Sequence, residues 1–291
     1  MIRVRVPGTS ANLGPGFDCF GIAWQLYQEL TFSPCGQLEI TGCPAAYQNA
    51  GNLAYVAFCR TLEAKGIPLP EGLRIAFVRS EIPISRGLGS SAALICAGIA
   101  GADGMYGLGL SPAEKLALAA RLEGHPDNAA PALLGGFTVC AALGGEATAA
   151  AYGVSGRLHF AAMIPDFELS TRRARAALPE QVPLRDAVFD LSRAALLPRA
   201  LEQGDWALLS RCMDDRLHQP YRFPLIPGSD RAIALAREQG AVVCISGAGP
   251  TLLCVSPEEG FAAALGAALR PVLPGWQVRR LLPDHSGTVL L

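Results

Sequence analysis

The sequence predicts a two-part chain of mixed strands and helices. Three observations carry that reading. The first half runs as strand–loop–helix units, the second half also mixes helices with strands, and an alanine- and glycine-rich stretch at 144–156 separates the two. The length, 291 residues, suits one large domain or two ordinary ones. We place the boundary near residue 155, giving domains 1–155 and 156–291.

Taken in order, residues 3–6 alternate as a strand and break at Pro7-Gly8. Strands are expected over 21–31 and 38–41, then a helix over 53–65 that stops at Gly66, with Lys65 near its C-terminal dipole. A strand at 73–78 leads through a glycine-serine loop into an apolar helix at 92–102. Ser111-Pro112-Ala113-Glu114 is a strong helix start, with a serine cap, proline in the first turn and an acid near the positive dipole end. That helix should run to Glu123 and stop at Gly124. Past the boundary come a strand at 158–164 and helices at 184–204, 205–215 and 231–239. Strands at 241–245 and 251–255, a helix at 260–269 and a strand at 276–282 complete the chain.

Composition excludes several function classes. Apolar residues make up 51% and charged ones 17%, which supports a folded core and argues against disorder. A net charge of −1 provides no basic footprint for nucleic acid and no polybasic membrane patch. No apolar run is long enough to span a bilayer, and the start of the chain lacks a signal-peptide pattern. The nine cysteines form no Cys-x-x-Cys pair, and several sit in apolar runs, as small buried residues do in a reducing cytosol. A cytoplasmic protein without zinc is expected.

The most informative segment is Pro83-Ile84-Ser85-Arg86-Gly87-Leu88-Gly89-Ser90-Ser91-Ala92-Ala93. A glycine-serine loop that runs straight into a helix aims several backbone N–H groups and a positive dipole end at one spot. That spot suits a polyphosphate. It is neither a Walker A loop nor a dinucleotide fingerprint, whose lysine and glycine spacings it lacks. A tight turn with a serine cap would read the same way in isolation. Two further glycine-rich segments shift the balance. Pro7-Gly8-Thr9-Ser10-Ala11-Asn12-Leu13-Gly14-Pro15-Gly16-Phe17-Asp18 is long for a simple connection, with Asn12 and Asp18 as its polar tips. Ser246-Gly247-Ala248-Gly249-Pro250-Thr251 permits close backbone approach between two strands.

A fourth segment, Glu123-Gly124-His125-Pro126-Asp127-Asn128, turns two carboxylates toward one place. Glu123 suits Mg²⁺, which takes one or two carboxylates plus phosphate oxygens, and Asp127 suits a proton or an ammonium group. The plainer alternative is that Glu123 ends one helix and Asp127-Asn128 caps the next. His125 reads as a loop residue and not a ligand.

These motifs together resemble the GHMP kinases. Pro-x-Thr-Ser-Ala-Asn-Leu-Gly-Pro-Gly-Phe-Asp, Gly-Leu-Gly-Ser-Ser-Ala-Ala and Ser-Gly-Ala-Gly-Pro-Thr look like the family's three motifs, in the right order and spanning residues 7–251. The extended first motif and His125-Pro126-Asp127-Asn128-Ala129-Ala130-Pro131 are similar to the homoserine kinase branch. So are Ser170-Thr171-Arg172-Arg173-Ala174-Arg175 and Leu217-His218-Gln219-Pro220-Tyr221-Arg222. Two departures stand out. The link from Glu123 to Asp127 is shorter than in many relatives, and Gly8 replaces the usual alanine.

The resemblance implies an α+β fold of two GHMP kinase domains, a ribosomal protein S5 domain 2-like N-terminal one and a ferredoxin-like C-terminal one, with ligands in the cleft between them. It implies ATP and Mg²⁺ as cofactors and L-homoserine as substrate, phosphorylated on its side-chain hydroxyl on the way to threonine. The alternative is another small alcohol of the mevalonate or sugar type. The segment from Pro83 to Ala93, with Asn52 near the adenine, is expected to bind nucleotide, and Ser91 and Glu123 the metal. Asn12, Asp18, Asp127, Asn128, Thr171, Arg175 and Arg222 are the expected substrate residues, with Asp127, Asn128 and Arg175 nearest the chemistry. A zwitterion's carboxylate suits guanidinium forks, and its ammonium an aspartate. Arg172 and Arg173 are expected at the surface. Homodimerisation also follows from the resemblance.

Overall fold

The computed structural model describes residues 1–291. In chain order the strands are β1 (Ile2–Ala11), β2 (Phe20–Pro34), β3 (Glu39–Thr41), β4 (Leu73–Ser80), β5 (Phe137–Leu143) and β6 (Glu146–Tyr152). They continue with β7 (His159–Pro165), β8 (Val242–Ile245), β9 (Leu252–Ser256), β10 (Trp276–Leu281) and β11 (Val289–Leu290). The helices are α1 (Leu53–Ala64), α2 (Ser90–Tyr106), α3 (Pro112–Glu123), α4 (Ala129–Leu134) and α5 (Thr171–Ala176). After them come α6 (Leu184–Gln203), α7 (Trp206–Cys212), α8 (Gln219–Arg222), α9 (Ser229–Glu238) and α10 (Phe261–Val272).

Two sheets organise these elements. The first has the order β11-β1-β2-β4-β3, with β5 on β2 and β6 on β5, and all its pairs are antiparallel except β3 with β4. The second, β10-β7-β9-β8, is antiparallel throughout. One apolar core joins them. Trp24 of the first sheet meets Phe160 of the second at 5.1 Å between ring centroids, and Leu197 and Leu253 pack into the same cluster. Beyond β10 the chain crosses back, placing β11 against β1, so a single division at residue 155 does not describe its last residues. No helix is long and apolar enough to cross a membrane.

Two expectations are corrected here. Strand β1 does not stop at Pro7-Gly8. A register shift between those residues absorbs the break, and pairing resumes through Gly8↔Trp24 to Ala11↔Gly21. Thr9 and Ser10 are therefore buried strand residues rather than loop residues. The alanine-rich stretch at 144–156 is not a bare linker either. Its middle, Glu146–Tyr152, is the edge strand β6, which pairs with β5 from Phe137↔Tyr152 to Leu143↔Glu146, an arrangement made by backbone bonds that small side chains suffice for.

Helix α3 delivers Glu123 and depends on its start. Ser111 Oγ accepts from the Glu114 amide at 3.2 Å, and Glu114 Oε2 accepts from the Ser111 amide at 2.9 Å. This is the reciprocal capping box. We predict that Ser111→Ala lowers stability by about 1 kcal/mol. A urea midpoint shift at unchanged m-value checks it, and an unmoved midpoint contradicts it.

Candidate active site

Three glycine-rich segments meet where the two sheets abut. The amide of Thr9 donates to Leu88 O at 3.1 Å, and Gly247 N donates to Ala11 O at 2.9 Å. Ser246 Oγ lies 2.6 Å from both Gly87 O and Ser10 Oγ, and Ser10 Oγ accepts from Trp24 Nε1 at 2.8 Å. This buried relay pins the glycine loop to both sheets. Gly87 and Gly89 sit at φ +76° and +72°. A Cβ at Gly89 would strike the Thr9 side chain, and one at Gly87 the Ser246 carbonyl, so the contact fixes glycine at both positions.

Helix α2 begins at Ser90, and its first internal bond is Ala93 N to Gly89 O at 2.9 Å. The preceding amides of Ser90, Ser91 and Ala92 have no intrahelical acceptor, as at any helix start. They stand at the junction of two cavities. One, of about 510 Å³, is lined by Asn52, Tyr47, Phe77, Pro83, Ile84 and Leu94 among others. The other, of about 250 Å³, is bounded by Asn12, Glu123, Asp127, Asn128, Thr171, Arg175 and Arg222 together with the Gly247–Gly249 turn. Ser85, Ser90 and Ser91 line both.

Not every expected loop residue faces a cavity. Leu88, Ala92 and Ala93 are buried in the core. Arg86 turns away, its Nη2 donating to Asp166 O at 2.9 Å, and so offers a bound anion only its backbone. Asn52 lines the larger cavity, but its amide caps α1. Its Oδ1 accepts from Ala54 N at 3.0 Å and its Nδ2 donates to Tyr47 O at 2.9 Å. Its role is to shape that wall.

Ser91 Oγ donates to Glu123 Oε2 at 2.7 Å, which brings the first turn of α2 to the last residue of α3. Burial pushes the Glu123 carboxyl above its usual range, partly offset by the Ser91 bond and the nearby His125. A hydroxyl and a carboxylate beside free helix N–H groups form the hard-oxygen donor set that Mg²⁺ takes together with phosphate oxygens.

The smaller cavity carries charge of both signs. Asp18 and Arg175 form a two-pronged pair, Nη1 to Oδ2 and Nη2 to Oδ1, each 2.9 Å. Arg222 is buried, 1% exposed, with Nε toward Ala174 O at 3.4 Å and Nη1 on Gly247 O at 3.2 Å and His218 Nδ1 at 3.3 Å. The Phe17 ring lies within 5.0 Å of the Arg222 guanidinium and 5.6 Å of that of Arg175. Asp127 Oδ1 is 2.6 Å from His125 Nδ1 and 3.5 Å from Asn128 Nδ2. Asn12 is held at both ends, Nδ2 donating to Gly247 O at 3.0 Å and Oδ1 accepting from Asp18 N at 2.7 Å. Thr171 opens α5 on the rim, and Arg172 and Arg173 are exposed.

His125 lies in the loop, as expected, and is also the direct partner of Asp127. That bond, with burial working against it, raises the imidazole above its usual range. His218, Phe17, Thr9, Ser10 and Ser246 are site residues that sequence reasoning missed. His218 is fully buried, held by Gly14 O at 2.8 Å and stacked on Phe17. Only its place in the segment ending at Arg222 could have signalled it.

The chain matches the family described as GHMP kinases N terminal domain over residues 52–136 and that described as GHMP kinases C terminal over 198–273. It is 42% identical over 298 residues to the homoserine kinase of Moorella thermoacetica, with 100% of each chain covered. Identity to that of Clostridium botulinum is 40% over 294 residues, covering 100% of this chain and 98% of the relative. A crystal structure of homoserine kinase from Cytophaga hutchinsonii superposes with a TM-score of 0.88 at 29% identity, covering 100% of this chain and 97% of that one.

Proposed function

The chain belongs to the homoserine kinase family of the GHMP kinases, and from that premise we propose that it transfers the γ-phosphoryl group of ATP to the side-chain hydroxyl of L-homoserine. The product is O-phospho-L-homoserine. One observation carries the choice of acceptor. Asp127, Arg175 and Arg222 line the 250 Å³ cavity beside the glycine loop, and Asp18, outside that lining, pairs with Arg175, so the site holds the two signs of charge a zwitterionic amino alcohol needs. Mevalonate and sugars have no ammonium group to pair with a carboxylate.

Phosphoryl transfer needs positioning and charge neutralisation more than covalent help from the protein. In this reading the 510 Å³ cavity takes the nucleoside and the amides at the start of α2 take the phosphates. Ser91 and Glu123 hold Mg²⁺, which neutralises phosphate charge when bound. The Asp18–Arg175 pair opens to a zwitterion by exchanging partners, carboxylate to Arg175 and ammonium to Asp18, so little charge is left unpaired on binding. Arg222 adds a second, buried cation for the carboxylate.

Asp127 positions the substrate. Both of its protein contacts fall on Oδ1, which leaves Oδ2 for the ligand. Asp127→Asn is expected to raise KM for homoserine at least about tenfold while kcat falls less. Turnover abolished at unchanged homoserine affinity would instead assign Asp127 as the general base.

The reading includes a homodimer. Leu184, Val188 and Leu191 are 80%, 54% and 71% exposed on one face of α6, at the spacing by which a helix packs against its own copy about a two-fold axis. Leu191→Glu should convert a dimeric mass in sedimentation to a monomeric one. A wild type that sediments as a monomer contradicts this. The decisive test of the activity is ADP release from Mg·ATP with homoserine, mevalonate, galactose and serine in parallel. Homoserine should give the highest kcat/KM, and preference for another acceptor would overturn the reading.

A further inference from the structure

Behind the substrate cavity two carboxyls are buried together. Asp190 lies on α6 at 1% exposure, and the Asp215 side chain, in the turn before α8, is fully buried. The Asp215 oxygens are heavily engaged. They accept from the amides of Leu217 at 2.8 Å, His218 at 3.1 and 3.3 Å, and Gln219 at 2.6 Å. This arrangement starts the short helix that carries Arg222. Asp190 Oδ1 accepts from Arg216 N at 3.0 Å, but its Oδ2 is buried with no donor. The Asp215 carboxyl, one residue before the Arg216 amide that Asp190 holds, is the neighbouring side chain.

Two ionised carboxylates do not lie together in the interior without a cation between them. The surrounding charges supply none. Arg216 reaches outward to Asp186 at 3.0 Å, and the guanidiniums of Arg193 and Arg216 both lie against Phe189. His218 Nε2 stands 3.6 Å from Asp215, but that nitrogen is bonded to Gly14 O, and burial holds the imidazole below its usual range, toward the neutral form. Arg222 is turned to Gly247 and Ala174. A proton on Asp190 Oδ2 resolves the contact, satisfying the orphaned oxygen and giving Asp215 a further donor.

We propose that Asp190 is a protonated positioning residue, whose Oδ2–H donates to Asp215 and ties the segment leading to Arg222 onto α6. Ionisation of Asp190 puts two like charges in contact, loosens that segment and withdraws Arg222 from the substrate carboxylate. Burial first, then the Asp215 contact, pushes Asp190 up to about 8, so the tie is lost in mildly alkaline solution. The folded chain keeps a proton that the unfolded chain has lost above its ordinary carboxylate range, so this stability is largest in acid and is lost as pH rises toward 8.

The test compares the wild type with Asp190→Asn, which donates from Nδ2 at every pH. Its kinetic arm rests on homoserine being the acceptor. Between pH 7 and 9.5, KM for homoserine in the wild type should climb by up to about tenfold per pH unit beyond the climb in D190N, while KM for ATP tracks together in the two. D190N carries only the substrate's own titration. Superimposable homoserine profiles would overturn the proposal. A substrate-free arm separates this from failure of the functional reading: the Tm of the wild type should fall relative to D190N from pH 5 to 8 and run parallel above. Parallel curves throughout would also overturn it. If D190N does not fold, Asp215→Asn, which likewise leaves one carboxyl in the pair, should flatten both profiles, and an unchanged alkaline limb in it counts against the tie.

Discussion

Glu123→Gln is expected to lower kcat/KM for phosphoryl transfer by about 100-fold or more, roughly 3 kcal/mol of transition-state stabilisation. Glutamine keeps the shape of the side chain and can still accept from Ser91 Oγ, so the 2.7 Å link between α2 and α3 survives. What it removes is the negative charge. Burial already raises the Glu123 carboxyl, and such a site tolerates a charge only when a cation arrives to match it. The neutral amide therefore keeps the apo fold, or improves it, while weakening the hold on Mg²⁺. Titrating activity against magnesium at saturating ATP and homoserine checks the assignment. The variant should need far more metal for half-maximal rate, with an unchanged or higher Tm. A kcat/KM within about threefold of wild type, at the same magnesium requirement, would remove Glu123 from the metal site.

The parts of the site that were legible in the sequence are those whose chemistry is local. The bend from Gly87 to Ser91 announces itself because glycines, serines and an apolar helix follow one another directly, and the Ser111 start with the Gly124 stop frames the helix that ends on Glu123. The parts that were not legible depend on contacts between distant segments. Ser246 meets Ser10 across 236 positions, and neither serine differs in sequence from any other. His125 looked like a loop residue because its partner lies two positions away across a proline, where only the turn decides whether the side chains meet. The Asp18–Arg175 pair spans 157 positions, so family motifs named both residues without showing that each is the other's partner. Strand β6 was missed because alanine carries no strand preference, and the pairing of Thr138↔Ala151 and its neighbours is made by the backbone. At Pro7-Gly8 the usual breakers mark a register shift, which a single chain cannot distinguish from a loop before its partner strand is known.

Arg222→Met should raise KM for homoserine by about 100-fold while leaving KM for ATP within about threefold, because the guanidinium serves the acceptor alone. Arg222 is 1% exposed, and its neighbours survive the change well. Gly247 O, which loses the 3.2 Å bond to Nη1, keeps the 3.0 Å bond from Asn12, so no carbonyl is orphaned there. Methionine fills the aliphatic volume beside Phe17 and brings no new charge. The loss falls on three groups, Ala174 O, His218 Nδ1 and the substrate carboxylate, and only the third involves catalysis. A charge-assisted hydrogen bond in a site closed from water is worth about 1.5–3 kcal/mol net. Removing the one buried cation of the cavity sits at the upper end of that range, and Arg175 is committed to Asp18 until substrate arrives. Arg222→Lys separates charge from geometry. It restores a cation without the planar fork, so KM should recover only part of the way. Equal rises in KM for homoserine and ATP would mean that the arginine holds the cleft together rather than the substrate. A homoserine KM within about threefold of wild type would mean that the carboxylate binds elsewhere, and the zwitterion-shaped cavity would lose its main support.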